Sequence, residues 1–361
     1  GMKLMLDGVF NHIGRRSDIF LEALQNANDP HRNWFFFGDE FKNGYRSFAN
    51  VQNMPAWKLE NPQVRDYLWN GRDSVVKHWL KKGADGWRLD VAFELGPDYL
   101  QELTNAAHRQ KPGSPVVGEV SGYPADWYPQ LDGTFNFFPI DLGKNMLKGN
   151  LEGGRVGQML DDMVADAPYE NLLKSWLLTD NHDTPRLAYQ CPDIEDRKIL
   201  EAMQFTLPGS PVIYYGTELG MDGGGDPACR APMRWDLVTS NNKDLAWVKQ
   251  MVALRKANPA LRYGDFKALR TNKLLAYLRT TDQLRQSVMV VVNPTDQAVT
   301  ETFAVRIGRL MSWGEMKDAM GGQSIRAIAG QATVTMKPKS VCVFNVVDST
   351  DMGYSQYSRI K

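Results

Sequence analysis

GWRLDVAFE, residues 86–94, sets an arginine two positions before an aspartate inside an apolar run. Side chains of a strand alternate faces, so Arg88 and Asp90 point the same way. Charges on the inward side of a strand are expensive to desolvate, and a pair of them marks either a salt bridge or a functional site. The neighbouring segments decide between the two.

Short apolar runs like this one recur at 3–7 (KLMLD), 115–119 (PVVGE), 133–137 (GTFNF), 175–180 (SWLLTD) and 211–216 (PVIYYG). Helical patterns fall between them, near 61–82, 97–110, 143–165, 194–206 and 243–257. The first is expected to begin with Asn61 as N-cap and Pro62 at the first helical position, and to end at Gly83. Continuous apolar strands alternating with helices predict a parallel sheet covered by helices, in about six strand–helix units. The stretch 13–60 is polar, rich in aromatics and too long for a simple loop. KLMLD reads as a buried strand at the very start of the chain, so part of the sheet is expected to precede it. Beyond Pro259 the segments LLAYLRT, SVMVVVNP, ETFAV and SVCVFNVV, separated by Gly, Asn, Asp and Pro, predict a separate antiparallel β domain. The tail after Val347 is polar and is expected to lie loose or draped on the surface.

Composition narrows the function classes. With 361 residues, 43% of them apolar and 23% charged, the chain has the balance of a large globular core and room for a barrel plus an appendage. Its 42 basic and 42 acidic residues cancel, so nothing suggests nucleic acid or an anionic membrane as a partner. No apolar run approaches the length of a membrane span. Cys191, Cys229 and Cys342 lie far apart, are odd in number and lack metal-type spacing, which predicts free thiols, a reducing compartment and a cytoplasmic location. The 10 Trp and 13 Tyr supply flat faces suited to sugar rings, although most are expected in the core.

Four strand ends carry polar residues. KLMLDGVFNH bears Asp7, Asn11 and His12; GWRLD bears Arg88 and Asp90; PVVGE ends at Glu119; SWLLTDNHD ends with His182 and Asp183. In a parallel barrel the carboxyl ends of the strands face one mouth, so these groups are expected to converge. Each alone also reads as structure: Glu119 as a helix cap, Asp7 as a buried hydrogen-bond anchor, Asn11-His12 and His182-Asp183-Thr184 as turns. Four together point to a site. Carboxylates with an arginine suit glycoside cleavage, in which one carboxylate attacks the anomeric carbon and another donates a proton to the leaving oxygen. Arg88 would keep Asp90 ionised and oriented, making Asp90 the nucleophile and Glu119 the acid/base. His12, His182 and Asp183 would bind ring hydroxyls, Asp183 more strongly as oxocarbenium charge develops. The same histidines and carboxylates could instead serve a metal hydrolase, a reading disfavoured by the cation beside Asp90.

These segments also resemble the α-amylase family of retaining glycoside hydrolases. DGVFNH (7–12), GWRLDVAFE (86–94), VVGEV (116–120) and LLTDNHD (177–183) are similar to its four motifs, in order, and GSPVIYYGTE (209–218) to its last barrel-strand motif. MPAWKLENPQV (54–64) and DPACRAPMRW (226–235) look most like the cyclomaltodextrinase, neopullulanase and maltogenic amylase group. The resemblance implies an α/β fold: a (β/α)8 TIM-type barrel, N-terminally truncated and starting at its third strand, over 1–258. It places an inserted small lobe at about 13–60 and a C-terminal antiparallel β-sandwich domain with the tail at 259–361. It implies Asp90 as nucleophile, Glu119 as acid/base and Asp183 as transition-state stabiliser. Asp7, His12, Arg88 and His182 take positioning and sugar-binding roles, and Phe93 and Glu94 fall near the acceptor side, Phe93 departing from the family pattern. The implied partners are α-glucan oligosaccharides (maltooligosaccharides, cyclodextrins or pullulan), with room for a homo-oligomer. No cofactor is implied; calcium near Asn11 is possible in the family but not favoured here, because 13–60 shows no clear acidic cluster. The alternative is an inactive carbohydrate-binding or interaction subunit whose open sheet edge another chain covers.

Overall fold

A computed structural model describes residues 1–347; the expected loose tail lies outside them. The chain divides into two compact units, Gly1–Phe135 and Asn136–Lys361.

In the first unit, β1 (Met5–Gly8), β2 (Gly86–Leu89), β3 (Val116–Gly118) and β4 (Gly133–Thr134) form one parallel sheet in chain order. All four residues of β2 are buried, as the unbroken apolar run requires of a strand covered on both faces. β1 departs from expectation. It is the edge strand of this sheet, and Leu4 and Asp7 are exposed rather than buried.

The stretch 13–60 holds helix α1 (Asp18–Gln25), capped by Ser17, whose hydroxyl accepts from the Phe20 N–H. Phe20 is fully buried against Phe35, Phe37 and Tyr45, with ring centroids 4.8–6.0 Å away, and Phe35 stacks on Trp57. The aromatic richness read from the sequence is therefore this segment's own small core. Asn61 and Pro62 start α2 (Pro62–Arg65) as expected, but no continuous helix runs to residue 82. The chain widens into a π-helical turn over Asp66–Asn70, breaks at Gly71, and resumes as α3 (Val75–Lys81). Glu102, on α4 (Pro97–Gln110), explains the detour: its carboxylate accepts from Arg65 Nε, Trp69 Nε1 and Asn70 Nδ2. Three bonds to one side chain outweigh regular helix geometry.

In the second unit the pattern near 143–165 is two helices, α5 (Phe138–Leu147) and α6 (Gly153–Asp166). Gly149, with φ of +74°, takes the left-handed conformation that ends α5. After α7 (Tyr169–Lys174), β5 (Trp176–Leu178) and β6 (Ser210–Val212) pair in parallel. Between them lie the short α8 (Leu187–Gln190) and α9 (Ile194–Thr206), the latter capped by the Asp193 carboxylate. α10 (Lys243–Ala257), capped by Asn242, and α11 (Pro259–Tyr263) follow. All six expected parallel strands are present.

Among the described residues eight antiparallel strands follow: β7 (Asp265–Ala268), β8 (Leu275–Thr280), β9 (Val288–Asn293), β10 (Val299–Ala304), β11 (Gly314–Asp318), β12 (Ser324–Ala327), β13 (Gln331–Met336) and β14 (Ser340–Val346). Six form a sheet in the order β12-β11-β14-β9-β8-β7, and β10 pairs with β13. Met289, Val291 and Phe344 from the larger sheet share one core with Phe303 and Val334 from the smaller pair. On β10 and β13 the outward face alternates with this core and carries Thr300, Thr302, Thr333 and Thr335.

Candidate active site

Three neighbouring strands in the first unit deliver the central cluster. The parallel register sets Asp7 of β1 opposite Arg88 of β2, and Glu119 follows the end of β3. The Arg88 side chain is only 7% exposed. Its Nη1 donates to Asp7 Oδ1 at 2.6 Å and to Asp90 Oδ1 at 2.8 Å, and its Nη2 to Glu119 Oε2 at 2.7 Å. The Phe135 ring lies 5.1 Å from the guanidinium carbon. Burial alone would lower the Arg88 pKa, but the bond from Asp7, the charge of Glu119 and the bond from Asp90 outweigh it and raise it. The guanidinium therefore stays charged and is shared among three carboxylates, whereas the sequence assigned it to Asp90 alone. Asp7 anchors it as expected but is half-exposed on the edge strand.

Backbone bonds fix the same carboxylates. Asp90 N–H donates to Gly8 O, Glu119 N–H to Leu89 O, and Ala92 N–H to Glu119 O. Between them Val91 adopts φ +37°, ψ +49°, a left-handed conformation that costs a β-branched residue on the order of 1–2 kcal/mol. This turn directs the Val91 N–H to Glu119 Oε2 at 3.2 Å, so strain accompanies a specific contact. Phe93 and Glu94 follow in the turn Ala92–Glu94, both exposed.

His12 is buried and stacks on Phe48, with centroids 5.1 Å apart and planes 10° apart. Burial lowers its pKa, the nearby Asp90 charge opposing, which favours the neutral ring at neutral pH. Asn11 Nδ2 lies 3.5 Å from His12 Nδ1. Among the described residues, one trio of His and carboxylate side chains brings its ligand atoms within 4.8 Å of one another. This trio, Glu22, Asp29 and His31, lies within 13–60, where the sequence showed no acidic cluster. Residues 22 and 29 are brought together only by the turn after α1.

In the second unit, β5 leads into a tight turn. Asn181 Oδ1 accepts from the N–H groups of Asp183 and Thr184, and Asn181 N–H donates to Thr184 Oγ1. The buried Asp180 accepts from Leu187 N–H and Thr217 Oγ1 at 2.8–2.9 Å; burial raises its pKa, with these bonds opposing. The turn presents Asp183 with His182 Nε2 at 3.1 Å and Arg230 Nη2 at 2.8 Å. Arg230 Nε also reaches the His182 carbonyl and Asp226 Oδ1, and the Cys229 thiol donates to the same carbonyl. The sequence thus missed Arg230 as the partner of Asp183, and Asp226 and Cys229 as the groups that brace Arg230 and the His182 carbonyl. They lie more than 40 positions away, in a segment read only as a subgroup marker.

Residues 1–244 match the α-amylase catalytic domain and residues 266–343 the maltogenic amylase C-terminal domain. The chain is 33% identical over 360 residues to a cyclomaltodextrinase of Geobacillus thermopakistaniensis (strain MAS1), covering 96% of this chain and 60% of that protein. It is 30% identical over 352 residues to neopullulanase 2 of Thermoactinomyces vulgaris, covering 94% and 59%. A solved cyclomaltodextrinase structure superposes with a TM-score of 0.82 at 29% identity, covering 96% of this chain and 60% of that one. The chain thus spans about three-fifths of the length of these relatives. It belongs to the α-amylase family, with a maltogenic-amylase-type C-terminal domain.

Proposed function

We propose that the chain carries the machinery of a retaining α-glucan hydrolase acting on maltooligosaccharides, cyclodextrins or pullulan. One observation carries the reading: a single buried guanidinium holds Asp90 and Glu119 on its two Nη atoms. Both carboxylates are thus within hydrogen-bond reach of one side chain, a proximity in keeping with the double displacement of a retaining enzyme. In this mechanism Asp90 attacks the anomeric carbon while Glu119 protonates the glycosidic oxygen. The glycosyl ester consumes the Asp90 charge, leaving Arg88 to stabilise Glu119 as a carboxylate. Glu119 then takes a proton from the attacking water, and the anomeric configuration is retained. Asp183, steadied by His182 and Arg230, is the third carboxylate, binding ring hydroxyls as positive charge develops. His12 and Asp7 serve sugar binding and the positioning of Arg88, and Phe93 and Glu94 the acceptor side.

Names of the relatives support the substrate class, and the free thiols of Cys191, Cys229 and Cys342 support a cytoplasmic location. The reaction so written uses only side chains, so we infer no metal requirement, and activity is expected to survive chelation. Among the described residues no helix is long and apolar enough to cross a membrane. The test is reducing-sugar release from cyclodextrin, pullulan and starch, beside an Asp90→Asn control. Release that disappears in the control supports the assignment; equal release from both proteins refutes it, and none from either refutes activity in this chain.

A further inference from the structure

The C-terminal β domain carries a feature the reaction does not use. Trp313 is 63% exposed and sits at φ +73°, a left-handed conformation that an ordinary bulky residue adopts only at a cost. A large indole held in water on a strained backbone gains nothing for the core. The turn bearing it is fastened in place: Trp313 N–H donates to Ala327 O, and Ser312 Oγ accepts from Ala329 N–H. Arg326, Ile328 and Ala329 form part of the wall of a surface groove of about 500 Å³, lined also by Thr302, Gln331 and Thr333. Thr302 and Thr333 share a hydroxyl–hydroxyl bond of 2.8 Å across the β10–β13 pair, and Thr300 and Thr335 another of 2.9 Å. The groove therefore joins the Thr302–Thr333 pair of this hydroxyl row to a guanidinium, an amide and the exposed Ile328, and the bond to Ala327 sets the exposed Trp313 beside its wall.

This combination is chemically selective. Hydroxyls, an amide and one cation suit a neutral, hydroxyl-rich ligand, and an indole face suits the C–H face of a pyranose ring. A nucleic acid would call for a cluster of cations, and a protein partner for a larger apolar patch. We propose that this groove is a second glucan-binding surface, Trp313 stacking on a glucose ring while Arg326, Gln331 and the threonine row bind its hydroxyls. The ligand class rests on the α-glucan reading above; the site itself shares no residue with the catalytic assignment.

The test is affinity electrophoresis of the whole chain carrying Asp90→Asn, in native gels with and without soluble amylopectin. Adding Trp313→Ala is expected to weaken the apparent affinity roughly tenfold, as for about 60 Å² of lost apolar contact, and Arg326→Ala a few-fold. Hydrolysis of maltotriose by Trp313→Ala, with Asp90 intact, is expected to match the parent. Parental retardation in both variants overturns the site, as does a mobility change already present without glucan, which would indicate self-association. If Trp313→Ala fails to fold by circular dichroism, Arg326→Ala alone decides. Trp313-dependent retardation in a chain that hydrolyses nothing would refute the catalytic reading and leave this site standing; hydrolysis with Trp313-independent retardation would do the reverse.

Discussion

Replacing Arg88 by lysine keeps the charge and removes the fork. A guanidinium reaches Asp7 and Asp90 from one nitrogen and Glu119 from the other. A lysine has one terminal nitrogen on a shorter reach and can serve only one side of this arrangement. Losing the 2.7 Å bond to Glu119 removes one charge-assisted contact, and bonds of that kind contribute about 1.5–3 kcal/mol each. The Val91 N–H still holds Glu119 Oε2 at 3.2 Å, so the loss is partial, and denaturant unfolding is expected to show a drop of about 2 kcal/mol. Arg88→Met should cost more, about 3–5 kcal/mol, because it leaves three carboxylates without their buried cation. Catalysis should suffer more than folding in the lysine variant. A carboxylate displaced by about 1 Å lowers turnover on the order of 100-fold, and because Arg88 orients rather than grips the sugar, kcat should fall with little change in KM. The assay is steady-state hydrolysis of a cyclodextrin beside urea unfolding of the same preparations. A lysine variant within about threefold of the parent kcat and with an unchanged unfolding midpoint would show that the fork does not hold the carboxylates in place.

Two further predictions concern the second unit. Burial, aided by the charge of Asp244 and opposed by Arg197, pushes Glu201 up to about 8, and its Oε2 has no hydrogen-bond partner among the described residues. The unfolded side chain loses its proton near its ordinary value of 4.5 and the folded one only near 8, so the native state binds more protons between these limits and stability falls as pH rises through that window. Glu201→Gln should therefore flatten the slope and raise the unfolding midpoint more at pH 8 than at pH 5; an equal gain at both would refute it. Separately, a Cβ on Gly154 would stand 2.0 Å from the Thr271 carbonyl oxygen, where α6 meets the β7–β8 connection. Gly154→Ala is expected to lower stability by about 1–3 kcal/mol, read by thermal melting, and a neutral result would show that the two segments part freely.

Most of the architecture was legible because it was written in local signals. The six parallel strands are apolar runs, and α4, α9 and α10 match their expected limits because Pro97, Asp193 and Asn242 mark their starts chemically. One misreading has a non-local cause. The helix expected over 61–82 is bent out of register by Glu102, a residue about 30 positions downstream. The break between α5 and α6 was signalled by Gly149, which the apolar periodicity on either side overrode. At the candidate site the strand-end carboxylates were visible as residues that a buried strand would otherwise exclude. Two things were not: the sharing of Arg88 with Glu119, and the pairing of Asp183 with Arg230. Both depend on which distant segments become neighbours, and nothing in their local sequence records that.

The Arg88 fork also has a meaning for the order in which this protein is made. Its three acceptors come from the ends of three strands, with Asp7 lying 81 positions before Arg88 and Glu119 31 positions after it. Contacts that span so much chain close late, because loop entropy must be overcome before they stabilise anything. A growing or partly folded chain can therefore hold its short-range helices while its candidate nucleophile and acid remain apart. Catalytic competence would then appear only when β1, β2 and β3 lock into register, making the first turnover a reporter of that step.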